Sequence, residues 1–302
     1  MFNKQITSKV FNNFYRYYSS INKVGVIGGG QMGTGIAQVL SQTAGKNVVI
    51  FDSNKAMLDK SLTFISSQLK RQIEKGKIQE QEQFEILKRI SFSDNMESLK
   101  DSDFVIEAIV ENPEIKTQLF KQLNSVLKPT TILASNTSSI SITKLASNYQ
   151  VPENVIGMHF MNPVPVMQLV EVIPGLQTSS ETNNITLELA KKMGKTTTMS
   201  KDMPGFIANR LLMPYINEAA QALFEGLGTI EDIDTTMKLG CNMPMGPLTL
   251  ADFIGLDTCL SIMNVLHANL GDKYKPCPLL VRYVEAGRFG KKNGKGFYSY
   301  NK

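Results

Sequence analysis

The chain has few of the residues that build metal centres and disulfides. Its 302 residues include three cysteines, Cys241, Cys259 and Cys277, and two histidines, His159 and His267. The cysteines are odd in number, lie in the C-terminal third and are not spaced as C-x-x-C. A structural zinc site is therefore not expected, and no metal is predicted. We interpret the cysteines as buried, reduced thiols of a reducing compartment.

Long apolar runs and a large excess of charge are also missing. No apolar stretch approaches the roughly 20 residues that cross a bilayer, so the sequence predicts no membrane segment. The net charge is +5, but Lys4, Lys9 and Arg16 contribute three of these charges, and without them the balance is +2. That small excess does not favour nucleic acid as a partner.

Acidic residues are absent from the chain before Asp52. Segment 1–20 carries three cations and several serines, and its apolar residues recur near helical spacing. This composition is typical of a mitochondrial transit peptide, and Arg16-Tyr-Tyr-Ser19 resembles a matrix-protease site with cleavage after Tyr18. The sequence therefore predicts a protein of the mitochondrial matrix, with a disordered or expression-derived tail as the alternative.

A glycine-rich turn follows the apolar stretch 24–27. Its residues are Gly28, Gly30, Gln31, Met32 and Gly33, and the glycines fit G-x-G-x-x-G. The first glycine permits a tight turn from strand to helix, the second lets a pyrophosphate approach the backbone, and the third lets the helix pack on the strand. The free N–H groups at the helix start favour phosphate.

A second apolar strand, 47–52, ends in Asp52, close to where a carboxylate bonds an adenosine ribose 2′-OH. A carboxylate there repels a 2′-phosphate. No arginine directly follows it, and Lys55 is the nearby cation. The sequence therefore predicts that the turn binds NAD rather than NADP.

Strands alternate with helices up to residue 200, and the remainder is entirely helical. This pattern predicts a doubly wound, parallel α/β sheet of Rossmann type over 21–202 and an all-α C-terminal domain over 203–302, which follow the transit peptide 1–20. The predicted strands are 24–27, 47–52, 90–92, 103–110, 130–134, 154–160, 167–173 and 196–199. The predicted helices include 54–88, 113–128, 181–194, 206–224, 229–239, 247–268 and 278–285.

Polar residues mark two candidate sites on this scaffold. Segment 135–139 follows a strand at the sheet edge where doubly wound proteins bind ligands, although it could instead cap the helix near Ile142. A basic cluster near the end of the first charged helix, Lys70, Arg71, Lys75 and Lys77, could receive a phosphorylated substrate tail or form a solvated helix face.

His159 and Glu171 lie in two apolar strands joined by a proline-rich loop. A buried carboxylate needs a partner, and His159 is the candidate. Imidazole exchanges protons near neutral pH, so His159 can act as general base for alcohol oxidation while Glu171 orients its ring. His267 lies in an apolar helical pattern that indicates packing or surface. Ser138 and Asn209 are candidate donors to the substrate's oxygens.

These motifs together resemble the 3-hydroxyacyl-CoA dehydrogenase family over about residues 23–300. The short helical arm, with Glu74-Lys-Gly-Lys77, resembles its 3-hydroxybutyryl-CoA dehydrogenase branch. The other segments that carry the resemblance are Gly28-x-Gly-x-x-Gly33, Ile106-Glu-Ala-Ile-Val-Glu-Asn112, Ala134-Ser-Asn-Thr-Ser-Ser139, His159-Phe-Met-Asn-Pro-Val-Pro-Val-Met167, Leu169-Val-Glu-Val172, Pro204-Gly-Phe, Asn209-Arg-Leu, Met245-Gly-Pro and Gly290-Lys-Lys-x-Gly-x-Gly-Phe297.

The resemblance implies NAD-dependent, reversible oxidation of (S)-3-hydroxyacyl-CoA to 3-oxoacyl-CoA in fatty acid β-oxidation. It implies His159 as base, Glu171 as its partner, and Ser138 and Asn209 on the substrate's oxygens. It also implies a homodimer formed through the C-terminal helices.

The resemblance also implies positions for ligand contacts. The cofactor would be surrounded by Glu111, Lys116, Ser138, Asn162 and Lys292 in addition to the glycine turn and Asp52. Lys75 would lie near the CoA. Gln68 departs from the family, because related sequences can carry a CoA-contacting serine there, so the CoA contacts are left open.

Two other functions fit part of this evidence. A UDP-sugar dehydrogenase shares a similar first domain but needs a nucleophilic cysteine, for which Cys241 is the candidate near a motif. A non-catalytic NAD-binding protein needs only the first domain. The complete set of His159, Glu171, Ser138 and Asn209 argues against that second alternative.

Overall fold

The computed structural model describes residues 21–300, so the predicted transit peptide and its cleavage site lie outside the described residues. The chain divides between Asp202 and Met203 into two compact units. The first unit, called the sheet unit below, is built on a β-sheet, and the second, the helical unit, is built from helices. The predicted fold class is confirmed.

An eight-stranded sheet forms the centre of the sheet unit. Its strands are β1 (Lys23–Ile27), β2 (Asn47–Phe51), β3 (Ile90–Ser93), β4 (Phe104–Glu107), β5 (Ile132–Ser135), β6 (Val155–Phe160), β7 (Leu169–Pro174) and β8 (Thr196–Met199). Their order across the sheet is β3-β2-β1-β4-β5-β6-β7-β8. The chain order reverses between β1 and β4, and in doubly wound sheets ligands bind at the carboxyl ends of strands at such a reversal.

The prediction of a wholly parallel sheet is wrong at one place, because β7 runs antiparallel to β6. Only residues 161–168 separate these strands, and a parallel pair needs a crossover of a dozen or more residues. The antiparallel register brings residues directly opposite one another. One such pair is His159 with Glu171.

Helices of the sheet unit pack their apolar faces against the strands. Val26, Ile50 and Ile106 of the sheet share one buried core with Ile36 and Leu189 of the helices. The predicted helical stretch 54–88 is a pair of helices separated by a turn. The helices are α1 (Gln31–Gln42), α2 (Lys55–Glu74), α3 (Glu80–Lys88), α4 (Pro113–Leu123), α5 (Ile142–Ala146) and α6 (Ser180–Lys192), with short 3₁₀ turns at Met96–Leu99 and Pro152–Asn154.

The helical unit has its own core, which includes Met213, Leu248 and Leu266. Its helices are α7 (Ala208–Phe224), α8 (Ile230–Thr235), α9 (Pro247–Ile254), α10 (Leu256–Leu270) and α11 (Pro278–Glu285), with a π turn at Thr236–Gly240 and 3₁₀ turns at Asp272–Tyr274 and Lys291–Asn293.

The prediction of one helix over 247–268 is wrong. The backbone breaks at Gly255, whose φ of 107° lies in the region that glycine alone enters readily. The axes of α9 and α10 are bent by 97°. Within residues 21–300 no single helix is long and apolar enough to cross a membrane, and this bent pair reaches that length and hydropathy only when its two helices are taken together.

A buried aspartate fastens the C-terminal glycine motif to α9. The Asp252 carboxylate accepts hydrogen bonds from the backbone N–H groups of Phe297 (2.8 Å) and Tyr298 (2.9 Å) and from the Tyr300 hydroxyl (3.0 Å). A Cβ atom on Gly296 would overlap Asp252 Oδ1. Burial raises the pKa of the Asp252 carboxyl, although these hydrogen bonds oppose the rise. The glycine is therefore needed for close packing within the helical unit.

Candidate active site

The glycine turn joins β1 to α1 as its spacing predicts. Gly28 has a φ of 108°, which a residue with a side chain rarely adopts. A Cβ atom on Gly33 would overlap the Gly28 carbonyl oxygen, so α1 can start this close to the strand only with glycine there. A Cβ atom on Gly30 would meet no described atom within 4 Å. The turn is therefore tight at its first and third glycines and open at its second.

A cavity of about 540 Å³ lies at the carboxyl ends of β1, β2 and β4, and its lining includes Gly28, Gly30 and Asp52. One oxygen of Asp52 accepts a hydrogen bond from the Gly29 N–H (2.7 Å), and the other accepts one from the Asn54 N–H (2.8 Å). These bonds fix the carboxylate at the cavity wall. This is the position in which a ribose hydroxyl can be bound.

Helix α1 starts at Gln31, and Met32 follows as its second residue. Gly30 is the N-cap and offers no side-chain cap to the first turn. The Gln31 side-chain amide donates a hydrogen bond to the Asn162 side-chain oxygen (3.1 Å), which ties the helix start to the loop after β6. Lys195 fixes the same loop, because its ammonium donates to the carbonyls of Val164 (2.5 Å) and Met167 (2.7 Å).

Glu111 gathers the polar segment that follows β5. Its Oε1 atom accepts hydrogen bonds from the Thr137 hydroxyl (2.7 Å) and from the backbone N–H groups of Ser138 (2.7 Å) and Ser139 (3.1 Å). The hydroxyls of both serines also lie within hydrogen-bond distance of it. Burial alone would raise the pKa of Glu111, but Lys116 and these hydrogen bonds outweigh burial and lower it. Glu111 is therefore held as an anion.

The segment 135–139 does not cap the following helix, because Ser141 is the N-cap of α5. Instead, residues 136–139 form a compact loop at the carboxyl end of β5. The Thr137 hydroxyl accepts hydrogen bonds from the N–H groups of Ser139 (3.3 Å) and Ile140 (2.9 Å). Ser138 is thereby placed with Glu111 in the sheet unit.

Lys116 lies beneath Glu111 and is only 1% exposed. Its ammonium lies 2.5 Å from Glu107 Oε1 and 3.4 Å from Glu111 Oε2. The cation therefore contacts two carboxylates inside the sheet unit. Its low exposure supports an indirect part in ligand binding.

His159 and Glu171 form the buried pair that the two strands predicted. His159 Nδ1 lies 2.7 Å from Glu171 Oε2, and the two residues are 8% and 1% exposed. The pair exists because the antiparallel register sets these residues directly opposite each other, on one face of the sheet. A carboxylate hydrogen-bonded to Nδ1 fixes the orientation of the ring and leaves Nε2 as its other nitrogen.

The remaining candidates lie in the helical unit and in the arm. Asn209 is 8% exposed in the first turn of α7. Lys292 forms an ion pair with Asp257 at 2.5 Å. In the arm, Lys75 is exposed at the end of α2 and Gln68 is half-buried in the same helix.

The prediction that all three cysteines are buried is wrong for one of them. Cys259 and Cys277 are buried as expected, but Cys241 is exposed because it follows the π turn at the surface. Burial raises the pKa of the Cys259 thiol to about 12.

The second histidine lies in the helical unit. His267 Nε2 lies 3.0 Å from Asp272 Oδ1 near the end of α10, in a partly exposed position.

The sequence reasoning missed Glu107 and Lys195. In the sequence Glu107 is one residue of the motif 106–112 and has no predicted role of its own, yet it is fully buried at the end of β4. The argument used for Glu171 applies equally to it, because a carboxylate in a buried strand needs a polar partner. Lys195 gave no local signal, since an isolated lysine before an edge strand is common.

Two family models match the chain. The model described as 3-hydroxyacyl-CoA dehydrogenase, NAD binding domain, matches residues 23–203. The model described as 3-hydroxyacyl-CoA dehydrogenase, C-terminal domain, matches residues 205–300. The two matches span both units of the structure.

Individual proteins give the same result. The chain is 56% identical over 279 residues to a probable 3-hydroxybutyryl-CoA dehydrogenase of Deinococcus radiodurans, covering 92% of this chain and 100% of the relative. It is 53% identical to 3-hydroxybutyryl-CoA dehydrogenase of Bradyrhizobium diazoefficiens, covering 93% and 96%. Among solved structures, (S)-3-hydroxybutyryl-CoA dehydrogenase from Ralstonia eutropha superimposes with a TM-score of 0.91 at 48% identity, covering 94% of this chain and 100% of that one.

Proposed function

This chain belongs to the 3-hydroxyacyl-CoA dehydrogenase family and is an NAD-dependent dehydrogenase, and on that premise we propose that it oxidises (S)-3-hydroxyacyl-CoA to 3-oxoacyl-CoA, reversibly, in fatty acid β-oxidation. The observation that carries the proposed chemistry is the buried His159–Glu171 pair. The branch of the relatives favours short acyl chains, with 3-hydroxybutyryl-CoA as a substrate.

The residues of the sheet unit fit an NAD molecule. The space over Gly30 admits a pyrophosphate, and the Asp52 carboxylate at the cavity wall suits a ribose with a free 2′-OH. When bound, NAD supplies the acceptor for the hydride that leaves the substrate carbon. Gln31, Met32 and Gly33 would hold it together with these residues.

We assign the proton transfer to His159. Because Glu171 holds Nδ1, Nε2 is the ring nitrogen proposed to take the proton of the substrate's 3-hydroxyl. The negative charge of Glu171 stabilises the imidazolium that results. In the reverse direction the same nitrogen returns the proton to the 3-oxo oxygen.

Ser138 and Asn209 are proposed to donate hydrogen bonds to the substrate's oxygens, and this assignment is supported by the family resemblance. Glu111, Asn162 and Lys292 are proposed neighbours of the cofactor on the same ground. Lys116 is proposed to contribute through Glu111, because so little of it is exposed.

The CoA portion is proposed to contact the arm. Lys75 is exposed and carries the charge that a phosphate would need. Lys70, Arg71 and Lys77 are exposed close to it in sequence. Gln68 replaces the serine that related sequences can carry, so a contact at that position is not proposed.

The experiment follows NADH consumption with acetoacetyl-CoA, with a long-chain 3-oxoacyl-CoA and with NADPH in place of NADH. We expect fast turnover with acetoacetyl-CoA and NADH. His159→Ala should lower kcat on the order of 10²–10⁴-fold, the usual contribution of a general base. His267→Ala and Cys241→Ser are matched controls and should keep activity.

The outcomes separate the alternatives. Equal rates for the parent and His159→Ala would remove the proposed mechanism. Loss of activity in Cys241→Ser would favour chemistry with a nucleophilic cysteine. Absence of turnover in protein that binds NADH would favour a non-catalytic NAD-binding protein.

We also propose that residues 1–20 are a mitochondrial transit peptide and that the enzyme works in the matrix. The support is the acid-free composition with Lys4, Lys9 and Arg16. Isolated mitochondria should import the chain and release a mature protein that starts at Ser19. Failure to import, or import without cleavage, would contradict the proposal.

A further inference from the structure

Glu107 occupies a central position at the carboxyl end of the sheet. It is the last residue of β4, opposite Ile27 of β1 on one side and Ser135 of β5 on the other. The chain order reverses between β1 and β4. Glu107 therefore lies beside the strand ends from which the glycine turn and the loop 136–139 begin.

The Glu107 carboxylate is fully buried and accepts hydrogen bonds at both of its oxygens. Oε1 accepts from the Lys116 ammonium (2.5 Å) and the Ile109 N–H (2.8 Å), and Oε2 accepts from the Ser135 hydroxyl (2.6 Å). A buried charge destabilises the fold unless it is paired and hydrogen-bonded.

A chain of contacts links Glu107 to the loop that carries Ser138. Lys116 is shared between Glu107 and Glu111, and its nitrogen lies closer to Glu107 (2.5 Å) than to Glu111 (3.4 Å). Glu111 in turn accepts the hydrogen bonds of the loop 137–139. The Lys116 ammonium lies closer to Glu107 and contacts Glu111 at Oε2. Glu111 Oε1 therefore accepts the hydrogen bonds of the loop.

We infer that Glu107 is a positioning residue of the dehydrogenase reaction, which acts through Lys116 and Glu111 to hold Ser138 in place. This inference rests on the proposed function, in which Ser138 donates to a substrate oxygen. Nothing in this role requires Glu107 to touch substrate or cofactor.

The test is Glu107→Gln, which keeps the shape of the side chain and removes its charge. Lys116 should then move toward Glu111 and compete with the loop for its oxygens. We expect kcat with acetoacetyl-CoA and NADH to fall about 10- to 100-fold, the cost of a displacement of about 1 Å in a site. NADH affinity, measured by fluorescence titration, should fall less than kcat: Glu111 is one proposed neighbour of the cofactor, whereas Asp52 and Gly30 at the cavity lie outside this set of contacts.

A double-mutant cycle identifies the route. In a Glu111→Gln background, Glu107→Gln should have little further effect on kcat, because the link through Lys116 has already been broken. Losses that multiply would overturn the inference, since Glu107 would then act independently of Glu111. A Glu107→Gln enzyme with parental kcat and only a lower Tm would also overturn it, because that result describes a structural role.

Two further variants keep the test decisive. Glu181→Gln removes an exposed carboxylate of the same unit and should leave kcat unchanged. If Glu107→Gln does not fold, Glu107→Gln with Lys116→Met removes both buried charges and avoids an unpaired ion. In that double variant Glu111 also loses the cation at its Oε2, so it no longer holds the loop in place and kcat should still fall. Full kcat would overturn the inference, and absence of turnover in the parent enzyme would instead refute the proposed function.

Discussion

Individual carboxylates of the sheet unit are fixed by donors that lie close in space. Asp52 is held by two backbone N–H groups, Glu111 by the loop 137–139, and Glu171 by His159. A carboxylate that is already oriented loses little further freedom when a ligand binds. The residues that the sequence identified by chemistry are thus the ones that the structure immobilises.

The lowered pKa of Glu111 predicts a pH-dependent stability. An unfolded glutamate titrates near 4.5, whereas Lys116 and the loop hydrogen bonds hold the folded pKa of Glu111 below that value despite burial. The stabilisation is therefore complete above pH 4.5 and is lost as the pH falls through the folded pKa. Urea unfolding of the parent and Glu111→Gln should show a difference in free energy that shrinks below pH 4.5. A difference independent of pH would contradict this assignment.

Substitutions at two glycines of the turn should change different properties, Gly30 the use of NADH and Gly33 the stability of the fold. Gly30→Ala adds a methyl group into open space, so the protein should keep its Tm while kcat/KM for NADH falls on the order of 10²-fold, the effect of displacing a bound group by about 1 Å. Gly33→Ala overlaps the Gly28 carbonyl and should destabilise the fold by about 1–3 kcal/mol. Thermal unfolding and NADH kinetics check both, and a destabilised Gly30→Ala would refute the distinction.

Whole elements were predictable where a local pattern determines them. The glycine turn, the strands β1 to β8 and the charged pair α2–α3 each have a period or a turn signal within a short window. The break at Gly255 could not be predicted, because glycine is tolerated inside many helices and only its φ of 107° ends α9. The antiparallel β7, in contrast, could have been predicted, because the connection between the predicted strands 154–160 and 167–173 is too short for a parallel crossover.

The C-terminal segment illustrates a contact that local patterns do not reveal. Asp252 and Phe297 are 45 residues apart, and the Asp252 carboxylate that binds the Phe297 N–H leaves no room for a Cβ atom on Gly296. Gly296→Ala should therefore lower the free energy of unfolding by about 1–3 kcal/mol. Gly228→Ala is the matched control, because its Cβ atom would meet Asp232 and Ile233 at 3.6 Å, an ordinary contact distance. Equal stability of the two variants in urea would contradict the packing argument.

At the scale of the whole molecule, composition and strand–helix alternation were enough for the fold class, and motif spacing was enough for the family. The Glu107–Lys116–Glu111 chain was not accessible in this way, because its members are joined by side-chain geometry and not by a repeat. Pairs such as His159–Glu171 lie between these cases, since chemistry suggested the partner and the register supplied the contact.

The predicted homodimer can be tested by measuring the mass of the protein in solution. The helical unit exposes large apolar side chains, including Leu211 (69%) and Leu227 (81%), and a stable dimer buries such surface. Light scattering should give twice the mass of one chain, and Leu211→Lys with Leu227→Lys should give a monomer. Leu176→Lys in the sheet unit is the matched control and should leave the dimer intact. A monomeric parent would refute the prediction.

In the proposed mechanism, the connection 161–168 between the strands of His159 and Glu171 makes catalysis a measure of correct strand pairing. A slip of one residue in an antiparallel pair turns every side chain to the opposite face. Such a chain would keep its glycine turn and would still bind NADH, yet Glu171 would point away from the imidazole. Among molecules that bind NADH, the active fraction therefore equals the fraction in which β6 and β7 pair in the native register. Measuring this fraction in a refolded sample reports how much of the protein has the correct strand pairing.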